Sequence, residues 1–156
     1  MPLFIHLFIH ACLAILTGYF LGLYLGYSFY LIITAFLFGF LIDIDHFIEY
    51  FFVYKKFSLN KFFKSQQFID SGKVYKLFHS FELVLILLFL SYLFIFNYLL
   101  SIILFTAAIS LFVHLISDCL INKEKVLFYF IIYRLKNKFL LINLIDEQKI
   151  EKSKIN

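Results

Sequence analysis

Two apolar stretches, residues 3–53 and 77–120, constrain this chain more than anything else in it. The first contains no Lys or Arg, and its only acidic residues are Asp43, Asp45 and Glu49. In the second, only Glu82 and Asp118 are charged. A helix rises about 1.5 Å per residue, and the hydrocarbon core of a bilayer is about 30 Å thick. Each stretch is therefore roughly twice as long as one crossing requires and is expected to fold back as a helical hairpin. Composition agrees. The chain is 63% hydrophobic, against about 45–50% apolar in a soluble domain, and its mean hydropathy is +0.95. A 156-residue chain forms too small a core to hide that excess, so lipid must cover part of it.

The expected fold is all-α: a polytopic membrane helical bundle of about four transmembrane helices with interfacial segments. The helices are expected at 3–24, 29–50, 77–96 and 98–120. Leu25-Gly26-Tyr27-Ser28 forms the first turn and Asn97 marks the second. Residues 1–122 make the bundle. Within it, 51–76 mixes Phe and Tyr with six Lys, which suits a segment lying on headgroups. Residues 123–156 form a basic amphipathic tail, whose apolar patches at 126–133 and 139–145 fit an interfacial helix or a short hairpin.

Charge gives the orientation. All 14 Lys and Arg fall in the central segment or the tail, and the two short turns have none. Basic loops stay in the cytoplasm. The expected location is the inner (plasma) membrane, multi-pass, with both termini cytoplasmic and the tight turns facing outward. The expected partners are membrane lipids, the basic segments meeting anionic headgroups. No nucleic-acid module is present. The start lacks a basic n-region, so no signal peptide is expected. Cys12 and Cys119 do not suggest a disulfide framework. Gly18, Gly22 and Gly26 invite close helix approach, either within the bundle or between two copies.

On this topology the remaining polar residues gather at one depth. His6 and His10 open the first helix. Asp43, Asp45, His46 and Glu49 close the second. His79 and Glu82 open the third, and His114 and Asp118 close the fourth. His6/His10 and His114/Asp118 are i, i+4 pairs; Asp43/His46, His46/Glu49 and His79/Glu82 are i, i+3 pairs. Each pair shares a helix face. An acidic residue at the middle of a membrane helix costs about 2.5–3.5 kcal/mol, less near its ends, so such residues usually face the bundle interior and mark function. Facing pairs on several helices are how bundles hold metal ions. Imidazole and carboxylate together suit a divalent metal: zinc, manganese, iron or nickel. Taken singly, His6 also fits an interfacial imidazole, Glu49 the solvated end of a helix, and Glu82 an ion-pair partner of a nearby Lys. Paired His would also serve a haem carrier, or a metal or proton transport module.

The blocks Leu41-Ile42-Asp43-Ile44-Asp45-His46, His79-Ser80 and His114-Leu115-Ile116-Ser117-Asp118 resemble the small bacterial inner-membrane proteins called membrane-bound metal-dependent hydrolases. That family carries an early His, a Pro-Asp-Ile-Asp-His block, then His-Ser, then His-x-x-x-Asp. Order and spacing match over roughly residues 6–120. Ile42 stands where the family has Pro, and Tyr75-Lys76-Leu77-Phe78 stands where it often has Arg-Gly and Thr. The resemblance implies a hydrolase of phosphoesterase type acting on a lipid phosphoester. Its metal, zinc first, would be held by Asp43, Asp45, His46, His79, His114 and Asp118, with His6 or His10 completing the shell. Glu82 or Glu49 would be the general base. A degenerate member kept as a structural partner is the other form the resemblance allows.

Overall fold

The computed structural model describes residues 3–56, 70–122 and 125–144. They form an all-α bundle. Helix α1 is Leu3–Leu25 and α2 is Ser28–Gly39; after a 3-10 turn at Leu41–Asp43, α3 is Ile44–Tyr54. Helix α4 is Phe81–Leu93 and α5 is Tyr98–Asn122. A 3-10 turn at Val126–Tyr129 leads into α6, Ile131–Lys136, and α7, Leu141–Leu144. Half of the expected interfacial segment (57–69) and the end of the tail (from 145) lie outside the described residues.

Among the described residues, three helical spans are long and apolar enough to cross a membrane: Ile5–Leu25, Ser28–Tyr54 and Tyr98–Ile121. The third expected helix is shorter than residues 77–96. It has 13 residues, about 20 Å of helix, less than a hydrocarbon core. Its start is set by capping: the Ser80 hydroxyl accepts from Leu83 N at 3.2 Å, so residues 77–80 are turn rather than helix. Asn97 does the same for α5, accepting from Leu100 N at 3.2 Å.

Between membrane helices there is no hydrophobic driving force, so close packing and hydrogen bonds hold the bundle together. A Cβ on Gly18 would meet Ile32 Cα at 2.6 Å, and one on Gly22 would meet Ser28 Cα at 2.6 Å. These two glycines thus seat α1 directly on α2, whereas Gly26, at φ 77°, lies in the turn with nothing within 4 Å of a Cβ. Helix α5 lies against α1, α2 and α4. Its Ala107, Ala108, Leu111 and Leu115 share a core with Phe81, Val84 and Leu87 of α4 and with Phe128, Tyr129, Leu141 and Leu144 of the tail. The inner part of the tail is therefore part of the packed structure. The outward residues include Phe8, Phe20, Phe29, Leu85 and Phe89, all exposed, as a lipid-facing surface requires.

The two tight turns lie together. Tyr98 Oη donates to Leu25 O at 2.9 Å, joining the start of α5 to the end of α1. The start of α1, the end of α2 with its 3-10 turn, the start of α4 and the end of α5 consequently meet at the opposite end. That is where the His and acidic residues are.

Candidate metal centre

Each helix delivers its polar residues differently. Helix α5 presents Ser110, His114, Ser117 and Asp118 as one stripe at i, i+4, i+7 and i+8. Its hydroxyl Ser110 donates to Ala35 O at 2.7 Å, which fixes α5 on α2. Gly39 allows the same approach one turn on: a Cβ there would lie 2.2 Å from Ser110 Oγ and 3.0 Å from Ala14 Cβ. The helix then breaks, and the carbonyl of Gly39 accepts from His114 Nδ1 at 2.8 Å.

Two groups of ring nitrogens and carboxylate oxygens converge. In the first, His6 Nε2 and His10 Nε2 are 3.0 Å apart, and Asp118 Oδ1 lies 3.2 Å from the former and 3.1 Å from the latter. In the second, His79 Nε2 lies 3.0 Å from Asp43 Oδ1 and 3.1 Å from His114 Nε2. His46 Nε2 and His114 Nε2 are 3.7 and 3.6 Å from Asp43 Oδ1. His10, His79 and His114 are fully or almost fully buried, as is Asp118; His46, at 22% side-chain exposure, is the most open of the set.

Hydrogen bonding behind the rings decides what the converging atoms are. A carbonyl only accepts, so His114 Nδ1 carries a proton to Gly39 O, and Nε2 of the neutral ring is a lone pair. Ser117 Oγ donates to His114 O at 2.9 Å; its remaining lone pairs accept from His10 Nδ1 at 3.3 Å, which leaves His10 Nε2 a lone pair too. His79 Nδ1 donates to Asp45 Oδ2 at 2.8 Å. Burial works against charge on the His79 ring, but Asp45 and Asp43 outweigh it and push its pKa up to about 9. The His10 Nε2 lone pair thus faces Asp118 Oδ1 at 3.1 Å, a contact that calls for a proton or a metal ion between the two atoms, while a charged His79 ring donates from Nε2 to Asp43 Oδ1 at 3.0 Å. A proton bridges two atoms, whereas these side chains meet in overlapping sets of three. A metal ion bound at about 2.0–2.1 Å in tetrahedral geometry separates its donor atoms by roughly 3.3 Å, close to the observed spacings. Asp43 Oδ2 and Asp45 Oδ1 are buried without a hydrogen-bond partner among the described residues, a further call for positive charge. The residues present fit a divalent metal.

Of the expected ligands, His6, His10, Asp43, His46, His79, His114 and Asp118 are brought together, and both early His residues take part. Asp45 stands behind His79, orienting its ring as outer carboxylates do in metal sites. The two expected general bases have other partners. Glu82 accepts from Ile131 N and Ile132 N, both at 3.0 Å, and so caps α6. Glu49 accepts from Tyr75 N at 2.8 Å and Lys76 N at 3.4 Å, holding the segment that leads to His79. Both carboxylates expected as general bases are thus engaged by backbone N–H groups of other segments.

Arg134 was not among the expected site residues. It is fully buried. Its Nη1 donates to Tyr75 O at 2.6 Å and Lys76 O at 2.7 Å, and its Nη2 to His79 O at 2.8 Å. Burial pushes the guanidinium below its ordinary range, while the carboxylates of Asp45, Glu82 and Glu49 oppose that. Tail and His79 segment are thereby locked together. Nothing in its sequence neighbourhood, a basic run between apolar patches, distinguishes Arg134 from a headgroup contact. Ser117 was findable, because it completes the polar stripe of α5.

No family model matches the chain, and no curated protein or solved structure matches it.

Proposed function

We propose that this protein is a membrane-embedded metal-dependent hydrolase that acts on a phosphoester of a lipid at the cytoplasmic leaflet. The observation that carries the reading is the convergence of buried imidazole lone pairs and carboxylate oxygens from α1, the α2–α3 break, the His79 segment and α5. Zinc is the first candidate for the donor set, with manganese, iron and nickel behind it. A divalent metal supplies Lewis acidity there, lowering the pKa of bound water to about 7 and polarising a phosphoryl oxygen.

The chain's own residues supply the rest. Asp45, Gly39 and Ser117 fix the orientation of His79, His114 and His10. Asp43 and Asp45 each keep a buried carboxylate oxygen without a hydrogen-bond partner among the described residues. His46, the most open of the rings, marks the side from which a headgroup enters. All the Lys and Arg lie in segments joined to the polar end, which supports a cytoplasmic setting in the inner membrane.

A haem carrier fits less well. Axial imidazoles bonded at about 2 Å on opposite faces of an iron hold their nitrogens roughly 4 Å apart, and the paired Nε2 atoms are at 3.0 and 3.1 Å.

The test is elemental analysis of the full chain purified in detergent, followed by a panel of lipid phosphoesters. A stoichiometric divalent metal and metal-dependent cleavage are expected, both lost in His79→Ala and His114→Ala. A metal-free protein whose variants behave like wild type defeats the reading.

A further inference from the structure

We infer that the polar end holds two divalent cations side by side, bridged by the two oxygens of Asp118. The inference rests on the metal-dependent reading above and specifies the centre it requires.

Asp118 connects the two converging groups. Its Oδ1 belongs to the group made with His6 and His10, at 3.2 and 3.1 Å. Its Oδ2 faces the other way, 3.7 Å from His114 Nε2. The carboxylate is almost fully buried, so the second oxygen is not turned to solvent. The rings of His10 and His114, one from each group, lie beside each other with centroids 4.0 Å apart.

The number of donors points the same way. Seven side chains bring a donor atom to these groups, while a zinc-like ion takes about four, sometimes five or six. One ion leaves part of that donor set unused. Two ions use the full set and divide it unequally. The ion near His6 and His10 has three protein donors among the described residues, the count typical of catalytic zinc with an open position. An ion near His79 has His79, His114 and Asp118 as one set of three donors, with Asp43 and His46 forming an overlapping set on the same ring. Two-metal centres about 3.5–4 Å apart are the common arrangement for displacement at phosphorus, one ion on the attacking oxygen and one on the leaving oxygen. A bridged pair is compatible with the phosphoester substrate proposed above.

The experiment loads the detergent-purified full chain with manganese and reads metal content together with the electron paramagnetic resonance spectrum. Two equivalents and an exchange-coupled spectrum are expected. His10→Ala should keep one equivalent and lose the coupling, with helical content and elution volume unchanged. One equivalent in the wild type, or two with isolated-ion spectra, overturns the bridge while leaving a single-metal hydrolase standing. No bound metal overturns both readings. The wild-type measurement decides even where a variant fails to fold.

Discussion

The two ends of the bundle are built from the same apolar helices and held in opposite ways. At the turn end, backbone and small side chains do the work: Gly18 and Gly22 seat α1 on α2, and Ser91 and Ser101 exchange hydroxyl-to-carbonyl bonds at 2.9 Å. At the polar end a helix breaks at Gly39, and ring nitrogens, carboxylates and Arg134 fill the space. Close packing alone suffices for a membrane bundle. The turn end is held by packing and neutral hydrogen bonds, without the buried imidazoles and carboxylates of the other end. Buried ionic groups are weak evidence for stability and costly when left incomplete. The contrast supports the proposal that the polar end binds a metal ion.

Substitutions can break or sharpen that contrast. The largest effect is expected from His79→Ala, which removes a ring central to the second group. Loss of an orienting partner already costs about 10–100-fold in metal affinity, so loss of the ring itself should exceed about 100-fold, measured by competition with a chelator. Asp45→Asn should follow at about 10–100-fold, because the amide still accepts from His79 Nδ1 but no longer supplies charge. An unchanged affinity would show that Asp45 does not act through His79.

Two glycine variants compare the ends directly. Gly18→Ala and Gly39→Ala each overfill a tight contact and should cost about 1–3 kcal/mol of stability, read by thermal denaturation in detergent. At Gly18 the obstacle is backbone and metal affinity should be untouched. At Gly39 the displaced Ser110 and the carbonyl bonded to His114 should weaken metal binding too. Equal metal affinity in the two variants would erase the distinction. The smallest effect belongs to Tyr98→Phe, which deletes one interhelical hydrogen bond worth about 0.5–1.5 kcal/mol and should leave bound metal unchanged.

The helices and their polar ends were legible in the sequence, because hydropathy over a span and the i, i+3 and i, i+4 spacing are one-dimensional signals. What lay beyond them depended on where individual oxygens point. Asp43 and Asp45 are two residues apart, on opposite sides of a regular helix, yet both reach His79, because the 3-10 turn at Leu41–Asp43 shifts the phase between them. It comes just after Gly39, where α5 packs closest, a long-range contact that no local pattern records. Glu49 and Glu82 looked available because their partners are backbone N–H groups 26 to 50 residues away. Arg134 was hidden for the same reason: its partners are carbonyls of Tyr75, Lys76 and His79.

Anomalous diffraction from crystals of the metal-loaded protein, collected at the absorption edge of the metal, bears most directly on whether the polar end is a metal centre. Peaks within bonding distance of His79 Nε2 and of the His6 and His10 rings are expected. Peaks only at surface carboxylates, or none at all with the rings hydrogen-bonded solely to one another, would contradict it.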